Sequence, residues 1–265
     1  MKMDLSGATA LVTGSNRGIG RAISERLARE PLDLLLCGMR SPESFESLGE
    51  TVAREVRPVR LDLGSRAAIE DSTAGLADVL PRLDLLVNNA GLVTGGLLEE
   101  QELEEVYSMF QVNLLGLVHL THLVLPGMLE RRAGKIVNNA SVSGYAYFPG
   151  ATTYAASKAG VVAFTESLRR ELKGTGVSTL HLVTPGVSTD MLDATEQAYG
   201  GHLDTSGWER QEPSEWAGKV VDAIRDDRTV LGPGGKTAFA KLASRGPGFL
   251  LDGLSSRIFS RRPRP

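Results

Sequence analysis

The chain has 265 residues, 42% of them hydrophobic, and a formal net charge of −3. That size fits one α/β domain with enough apolar side chain to cover both faces of a sheet, and the mild acidity lacks the basic footprint of a nucleic-acid binder. A single cysteine, Cys37, excludes an internal disulfide, and with only four histidines no metal cluster is expected.

From the N-terminus, residues 1–7 are short and polar and the first strand follows directly, so no leader is expected. The longest apolar stretch, 114–125, is too short to span a bilayer and contains His119 and His122. A soluble, cytoplasmic protein is therefore expected. Strand-like runs fall at 9–13, 33–38, 56–61, 83–88, 134–140, 177–183 and 229–231. Helical spacing falls near 18–30, 65–79, 103–131, 152–174 and 213–226. Cys37, His119 and His181 sit in apolar contexts and read as packing residues. This alternation predicts an α/β, single-domain, Rossmann-like doubly wound parallel sheet with helices on both faces. No repeat or linker divides it, so residues 1–232 form one domain, with a substrate lid near 190–211.

The first strand runs into Thr13-Gly14-Ser15-Asn16-Arg17-Gly18-Ile19-Gly20 and then an amphipathic helix. Strand, glycine-rich turn and helix open a dinucleotide-binding unit. Gly14 suits the tight turn, while Gly18 and Gly20 let backbone approach a pyrophosphate that the helix N-terminus would hold. The second strand ends at Met39-Arg40. An NAD site usually places a carboxylate there for the ribose diol, whereas a guanidinium grips a 2′-phosphate. Arg17 and Arg40 together therefore point to NADP(H).

Further along, Tyr154-Ala155-Ala156-Ser157-Lys158 puts a phenol and an ammonium on one helix face. A free tyrosine titrates near ~10, and a neighbouring ammonium is expected to lower that value by stabilising the phenolate. The segments 92–96 and 143–148 and the lid supply Tyr145, Tyr147, Phe148, Met191, Leu192, Tyr199 and Trp208 as pocket walls. They include no clamp for a carboxylate or phosphate, which favours a hydrophobic ketone or secondary alcohol.

The spacing GxxxGxG of Gly14, Gly18 and Gly20, the segment Asn88-Asn89-Ala90-Gly91 and the Tyr154/Lys158 pair resemble the short-chain dehydrogenase/reductase family. Ser141 lies thirteen positions before Tyr154, which is the family's spacing from catalytic serine to tyrosine. The resemblance implies that Tyr154 is the general acid and base, Ser141 positions the substrate oxygen, and Lys158 tunes the tyrosine and holds the nicotinamide ribose. It places Asn113 at a local break in the long helix, holding a water that links Lys158 to solvent. It implies that Asp62 and Leu63 meet the adenine, although Asp62 could equally cap the helix near Ser65. Asn89, Ala90 and Gly91 would line the ribose, and Pro185, Gly186, Val187 and Thr189 would hold the carboxamide. Family members prefer NADP(H) when both basic positions are present. They pair their long helices into homodimers or homotetramers, for which Val106, Phe110, Leu114, Leu117, Val161, Phe164 and Leu168 form apolar stripes here.

The last residues depart from the family. Residues 233–265 carry Phe239, Leu242, Phe249, Leu250, Leu251, Leu254, Ile258 and Phe259, then Arg261, Arg262 and Arg264. A helical extension folded back on the protein is expected, with a membrane-surface anchor as the alternative. The function expected overall is an NADP(H)-dependent oxidoreductase. A cofactor-binding sensor without turnover is the alternative, disfavoured by the complete set Asn113, Ser141, Tyr154 and Lys158. A sugar-nucleotide epimerase would need a longer substrate domain.

Overall fold

A computed structural model describes residues 2–199, 201–203, 210–232 and 259–261. The element order is β1 (Thr9–Thr13), α1 (Gly18–Ala28), β2 (Leu34–Met39), β3 (Glu55–Arg60), α2 (Arg66–Ala74), β4 (Leu85–Asn88), α3 (Leu103–Phe110), α4 (Leu117–Arg131), β5 (Gly134–Asn139), α5 (Thr152–Glu171), β6 (Val177–Leu182), β7 (Gly186–Val187), α6 (Asp190–Ala198), β8 (Arg210–Gln211), α7 (Pro213–Arg225) and β9 (Val230–Leu231). Among the described residues, seven strands form one parallel sheet in the order β3-β2-β1-β4-β5-β6-β9, and β7 pairs with β8 apart from it. Each predicted strand is present, shifted by at most two residues at an end.

Buried strands in such sheets read as continuous apolar runs because helices cover both faces. Every residue of β2 and of β4 is buried. On one face Ile23 and Leu27 of α1 and Trp216, Val220 and Ile224 of α7 pack on Ala10, Val12 and Leu35. On the other, Ile69 of α2, Leu120, Val124 and Met128 of α4 and Leu168 of α5 pack on Leu11, Leu36, Leu86 and Ile136. Edge strand β3 tolerates Pro58, which pairs with Cys37 in register but donates no N–H. Cys37 is wholly buried, as expected.

The region 103–131 is one continuous helix, long and apolar enough by length and composition to cross a membrane. The helix expected near 103–131 is therefore present at those bounds, with the apolar run 114–125 inside it. Its apolar side packs on the sheet, where Leu120, Val124 and Met128 are buried. Between α3 and α4, residues Gln111–Gly116 form a π-helical turn, the local break expected around Asn113.

The predicted helix near 65–79 is shorter, ending at Ala74. Its N-cap is Ser65, whose hydroxyl accepts from the Ala68 N–H at 3.1 Å, so Asp62 does not cap it. Most of the predicted C-terminal helix, with Leu250, Leu254 and Ile258, lies outside the described residues, as does Trp208.

Candidate active site

Strand order reverses between β1 and β4, and a cleft opens beyond the carboxyl ends of the strands at that switch point. It encloses about 1350 Å³. Its walls include residues 14, 16–20, 40, 62–63, 89–91, 141, 154, 158, 185–187 and 189, so the structure gathers nearly the whole predicted set.

Two predicted residues sit behind the wall. Ser15 is fully buried, its hydroxyl donating to the Val12 carbonyl at 2.7 Å while its N–H donates to the Gly38 carbonyl at 3.1 Å. It shapes the turn from inside. Asn113 is buried and clasps Leu92, with Oδ1 accepting from the Leu92 N–H at 2.7 Å and Nδ2 donating to its carbonyl at 2.9 Å. That double bond holds the 91–92 backbone against the π turn, whose irregular geometry lets the amide point inward.

The glycine loop fits a pyrophosphate. A Cβ on Gly20 would lie 2.1 Å from the Gly14 carbonyl oxygen and 2.5 Å from Asn89 Nδ2, so only glycine lets the helix start this close to β1 and β4. No side chain caps α1, and no acid occupies its first turn, leaving its N–H groups and dipole to face an anion.

At the carboxyl end of β2 Met39 is buried and Arg40 is exposed at the cleft, beside Ser41 and Ser44. Arg17 lies across the cleft mouth, 3.6 Å from Asp190 of the lid helix. Both partners are largely exposed, so that ion pair is weak and the guanidinium can turn to another anion. Asp62 accepts from the Gly64 N–H at 2.9 Å and faces the cleft beside Leu63.

A polar ladder that the sequence reading missed ties the strand ends together. Thr13 Oγ1 accepts from the Asn89 and Ala90 N–H groups, both at 2.9 Å. Asn139 Nδ2 donates to Asn89 Oδ1 at 2.9 Å, and Thr184 donates to Asn139 Oδ1 at 2.5 Å. Beneath it Asn88 donates to Asn138, and Asn138 to Thr165. Polar residues closing two apolar strands, Asn88-Asn89 and Asn138-Asn139, were the available signal.

At the far end Ser141, Tyr154 and Lys158 converge. Ser141 ends β5 and its hydroxyl accepts from the Ser143 N–H at 3.1 Å. Ser143 therefore orients Ser141 while also lining the cleft. Lys158 Nζ donates to the Asn139 carbonyl at 2.9 Å and lies 5.9 Å from the centroid of the Tyr154 ring. Gly91 makes room, since a Cβ there would sit 3.6 Å from Lys158 Nζ and 3.3 Å from Asn113 Oδ1. Burial pushes the Tyr154 phenol up to about 12, against a hydrogen bond to Ser141 that pulls it down. Burial pushes the Lys158 ammonium down to about 8. The expected lowering of the tyrosine by lysine is not what the protein alone shows: Ser141 supplies the lowering hydrogen bond, and desolvation disfavours charge on both groups.

The substrate walls also needed correction. Phe148, Met191, Leu192 and Tyr199 line the cleft. Tyr145 does not: it is buried and stacks on His181 at 5.7 Å, with its hydroxyl 3.4 Å from Nδ1. Tyr147 is exposed outside the cleft, over a shallow groove with Pro149 and Thr152. Residue parity within the 143–148 turn did not show which side each ring would take.

A doubly wound sheet with a glycine-rich loop at one end of its cleft and a serine, tyrosine and lysine at the other defines a dinucleotide-binding oxidoreductase. The chain belongs to the short-chain dehydrogenase family, which residues 8–200 match. It is 35% identical to a 3-oxoacyl-[acyl-carrier-protein] reductase of Haemophilus influenzae over 75% of this chain and 82% of that one. It is 38% identical to sulfoacetaldehyde reductase 2 of Chromohalobacter salexigens over 67% of this chain and 71% of that one. A short-chain dehydrogenase from Sphingobium yanoikuyae, solved in complex with NADPH, superposes with a TM-score of 0.74 at 25% identity, covering 97% of this chain and 98% of that one.

Proposed function

We propose that the protein is a soluble, cytoplasmic NADP(H)-dependent carbonyl reductase, acting on a hydrophobic ketone or, in reverse, a secondary alcohol. The convergence of Ser141, Tyr154 and Lys158 at one end of the cleft carries this reading. The relatives support the reductive direction, being reductases by name, and the Sphingobium structure contains NADPH.

Bound nicotinamide would supply or accept the hydride. Residues 14 and 16–20 would hold its pyrophosphate, Arg17 and Arg40 the 2′-phosphate, Asp62 and Leu63 the adenine, Lys158 the ribose, and residues 185–189 the carboxamide. Ser141 donates a hydrogen bond to the substrate oxygen and holds it beside Tyr154. Tyr154, protonated throughout the neutral range, donates its proton to that oxygen as negative charge develops there. Lys158, ammonium below about pH 8, stabilises the phenolate left behind. Asn113 fixes Leu92 and the π turn, and orders the route by which the proton is replaced. The apolar side chains of Phe148, Met191, Leu192 and Tyr199 exclude water and suit a substrate without a charged end.

Screening ketones with NADPH and alcohols with NADP, by absorbance of the reduced nicotinamide, tests the reading. NADPH oxidation by an apolar ketone is expected. Tight NADPH binding without turnover of any carbonyl or alcohol would favour the sensor instead.

A further inference from the structure

The chain returns to the lid at its far end. Phe259 forms an antiparallel bridge with Leu203, fifty-six positions earlier in the sequence. The Ser260 N–H donates to the His202 carbonyl at 2.8 Å, and His202 Nδ1 donates to the Ser260 carbonyl at 2.9 Å. The rings of His202 and Phe259 lie 6.4 Å apart. Arg261 pairs with Glu99, and His202 Nε2 lies 3.7 Å from Glu100, so both strands of this contact also meet the 98–100 turn.

These contacts bear on the cleft through one apolar cluster. Ala151, Tyr199 and Leu203 are buried together, with Phe148 and Phe259 packed against them. Tyr199 and Phe148 face the cleft, but Phe259 does not. Tyr199 is seated on bare backbone on another side: a Cβ on Gly95 would lie 2.7 Å from its Cε1. The substrate wall thus has two layers, a cleft-facing layer of Phe148 and Tyr199 and a backing layer contributed by the C-terminal segment.

We propose that Phe259 is a positioning residue for the substrate: by backing Tyr199 and Phe148 it sets the depth of the chamber, and with it the length of apolar chain accepted. A ring removed from behind a packed wall leaves space into which that wall relaxes. The cleft then deepens at Phe148 and Tyr199. The segment 259–261 is therefore part of the substrate site. This inference rests on the cleft being a ketone-reductase site.

The test uses the full chain carrying Phe259→Ala or Phe259→Leu. Steady-state kinetics with NADPH on 2-butanone, 2-heptanone and 2-undecanone give KM and kcat separately. In Phe259→Ala, KM for the ketone preferred by the parent should rise about tenfold and the preference should move to a longer ketone. The kcat and NADPH affinity should stay within about twofold, and Phe259→Leu should recover most of the KM. A loss of kcat shared equally by all three ketones, with preference unchanged, overturns the proposal, since that is what mere loss of folded protein would give. Amide hydrogen exchange over residues 190–203, measured without substrate, reads the backing directly. Faster exchange in both variants is expected, and exchange equal to the parent's overturns the proposal. If the parent reduces none of the ketones, the ketone reading falls by itself and the exchange measurement still decides whether Phe259 backs Tyr199. If Phe259→Ala does not fold, Phe259→Leu carries both readouts with smaller shifts.

Discussion

Tyr154 and Lys158 show how burial changes what a motif does. Spacing on one helix face suggests an ammonium that simply lowers a phenol. In the folded protein Lys158 hydrogen-bonds the Asn139 carbonyl, and desolvation moves the two groups toward their neutral forms. The consequence for reduction has a definite sign. Tyr154 stays protonated up to about pH 12, so the acid is available across the working range. Lys158 carries its charge below about pH 8 and loses it above, and with it the ribose contact and the phenolate support proposed for it. The kcat/KM for ketone reduction should therefore be flat at neutral pH and fall as pH rises past about 8, with the fall absent from the residual activity of Lys158→Arg. Tyr154→Phe should cut kcat by roughly 10²–10⁴-fold, the scale of a lost general acid, with NADPH affinity nearly unchanged by fluorescence titration. Full activity in that variant would remove Tyr154 from the chemistry. At the adenosine end, Arg40→Ala should erode a preference for NADPH over NADH by about tenfold, the scale of one charge-assisted hydrogen bond. Equal affinities in the unaltered protein would refute the assignment to a 2′-phosphate.

The elements were legible where one physical signal dominated. Parallel strands buried on both faces, such as Leu34–Met39 and Leu85–Asn88, announced themselves as apolar runs, and the alternation with amphipathic helices gave the doubly wound sheet. The turn between β1 and α1 was legible in its glycines for a similar reason: a Cβ on Gly20 would collide with the Gly14 carbonyl. Long-range contacts were not legible. Nothing local in Asn88, Asn138 or Thr165 says that they bond across three elements, and the turn of Tyr145 onto His181 follows from a neighbour thirty-six positions away. The same holds at the other end of the strands, where Lys135 of β5 is buried. It donates to Asp227 at 2.6 Å, to Ser178 at 3.2 Å and to the Arg228 carbonyl at 3.1 Å, tying β5 and β6 to the turn after α7. Burial raises the Asp227 carboxyl, but hydrogen bonds from Lys135 and Ser178 outweigh it, leaving its pKa below the usual value. The stabilisation from that charge is therefore complete above about pH 4 and lost as pH falls through the lowered value. Asp227→Ala should destabilise the fold by about 3 kcal/mol, because it strands a buried ammonium. Chemical denaturation at pH 7 measures this, and an unchanged midpoint would show that the lysine finds another partner.

At the scale of the whole molecule, the helix that carries the π turn has a second apolar side. Its inner side packs on the sheet through Leu120, Val124 and Met128, while Leu103, Tyr107 and Leu115 stand 66%, 70% and 55% exposed on the outside. Partly buried Leu114, Val118, Val162 and Phe164 join this helix to α5 around Leu117 and Val161. So some of the stripe expected for subunit pairing is core, and the exposed set lies beside it. Covering each large apolar side chain is worth about 1.5–3 kcal/mol, and a twofold contact repeats the gain on both protomers. A homodimer or homotetramer built on this face is the expected state. It would also brace the π turn that fixes Asn113, linking assembly to the geometry around Leu92. Sedimentation equilibrium at micromolar concentration should show a mass of two or four chains, and Tyr107→Asp with Leu115→Asp should shift it toward one. Because neither side chain lines the cleft, the separated protomer should still bind NADPH, though more weakly if bracing matters. An unaltered protein that sediments as a monomer would leave those exposed residues without the partner assigned to them.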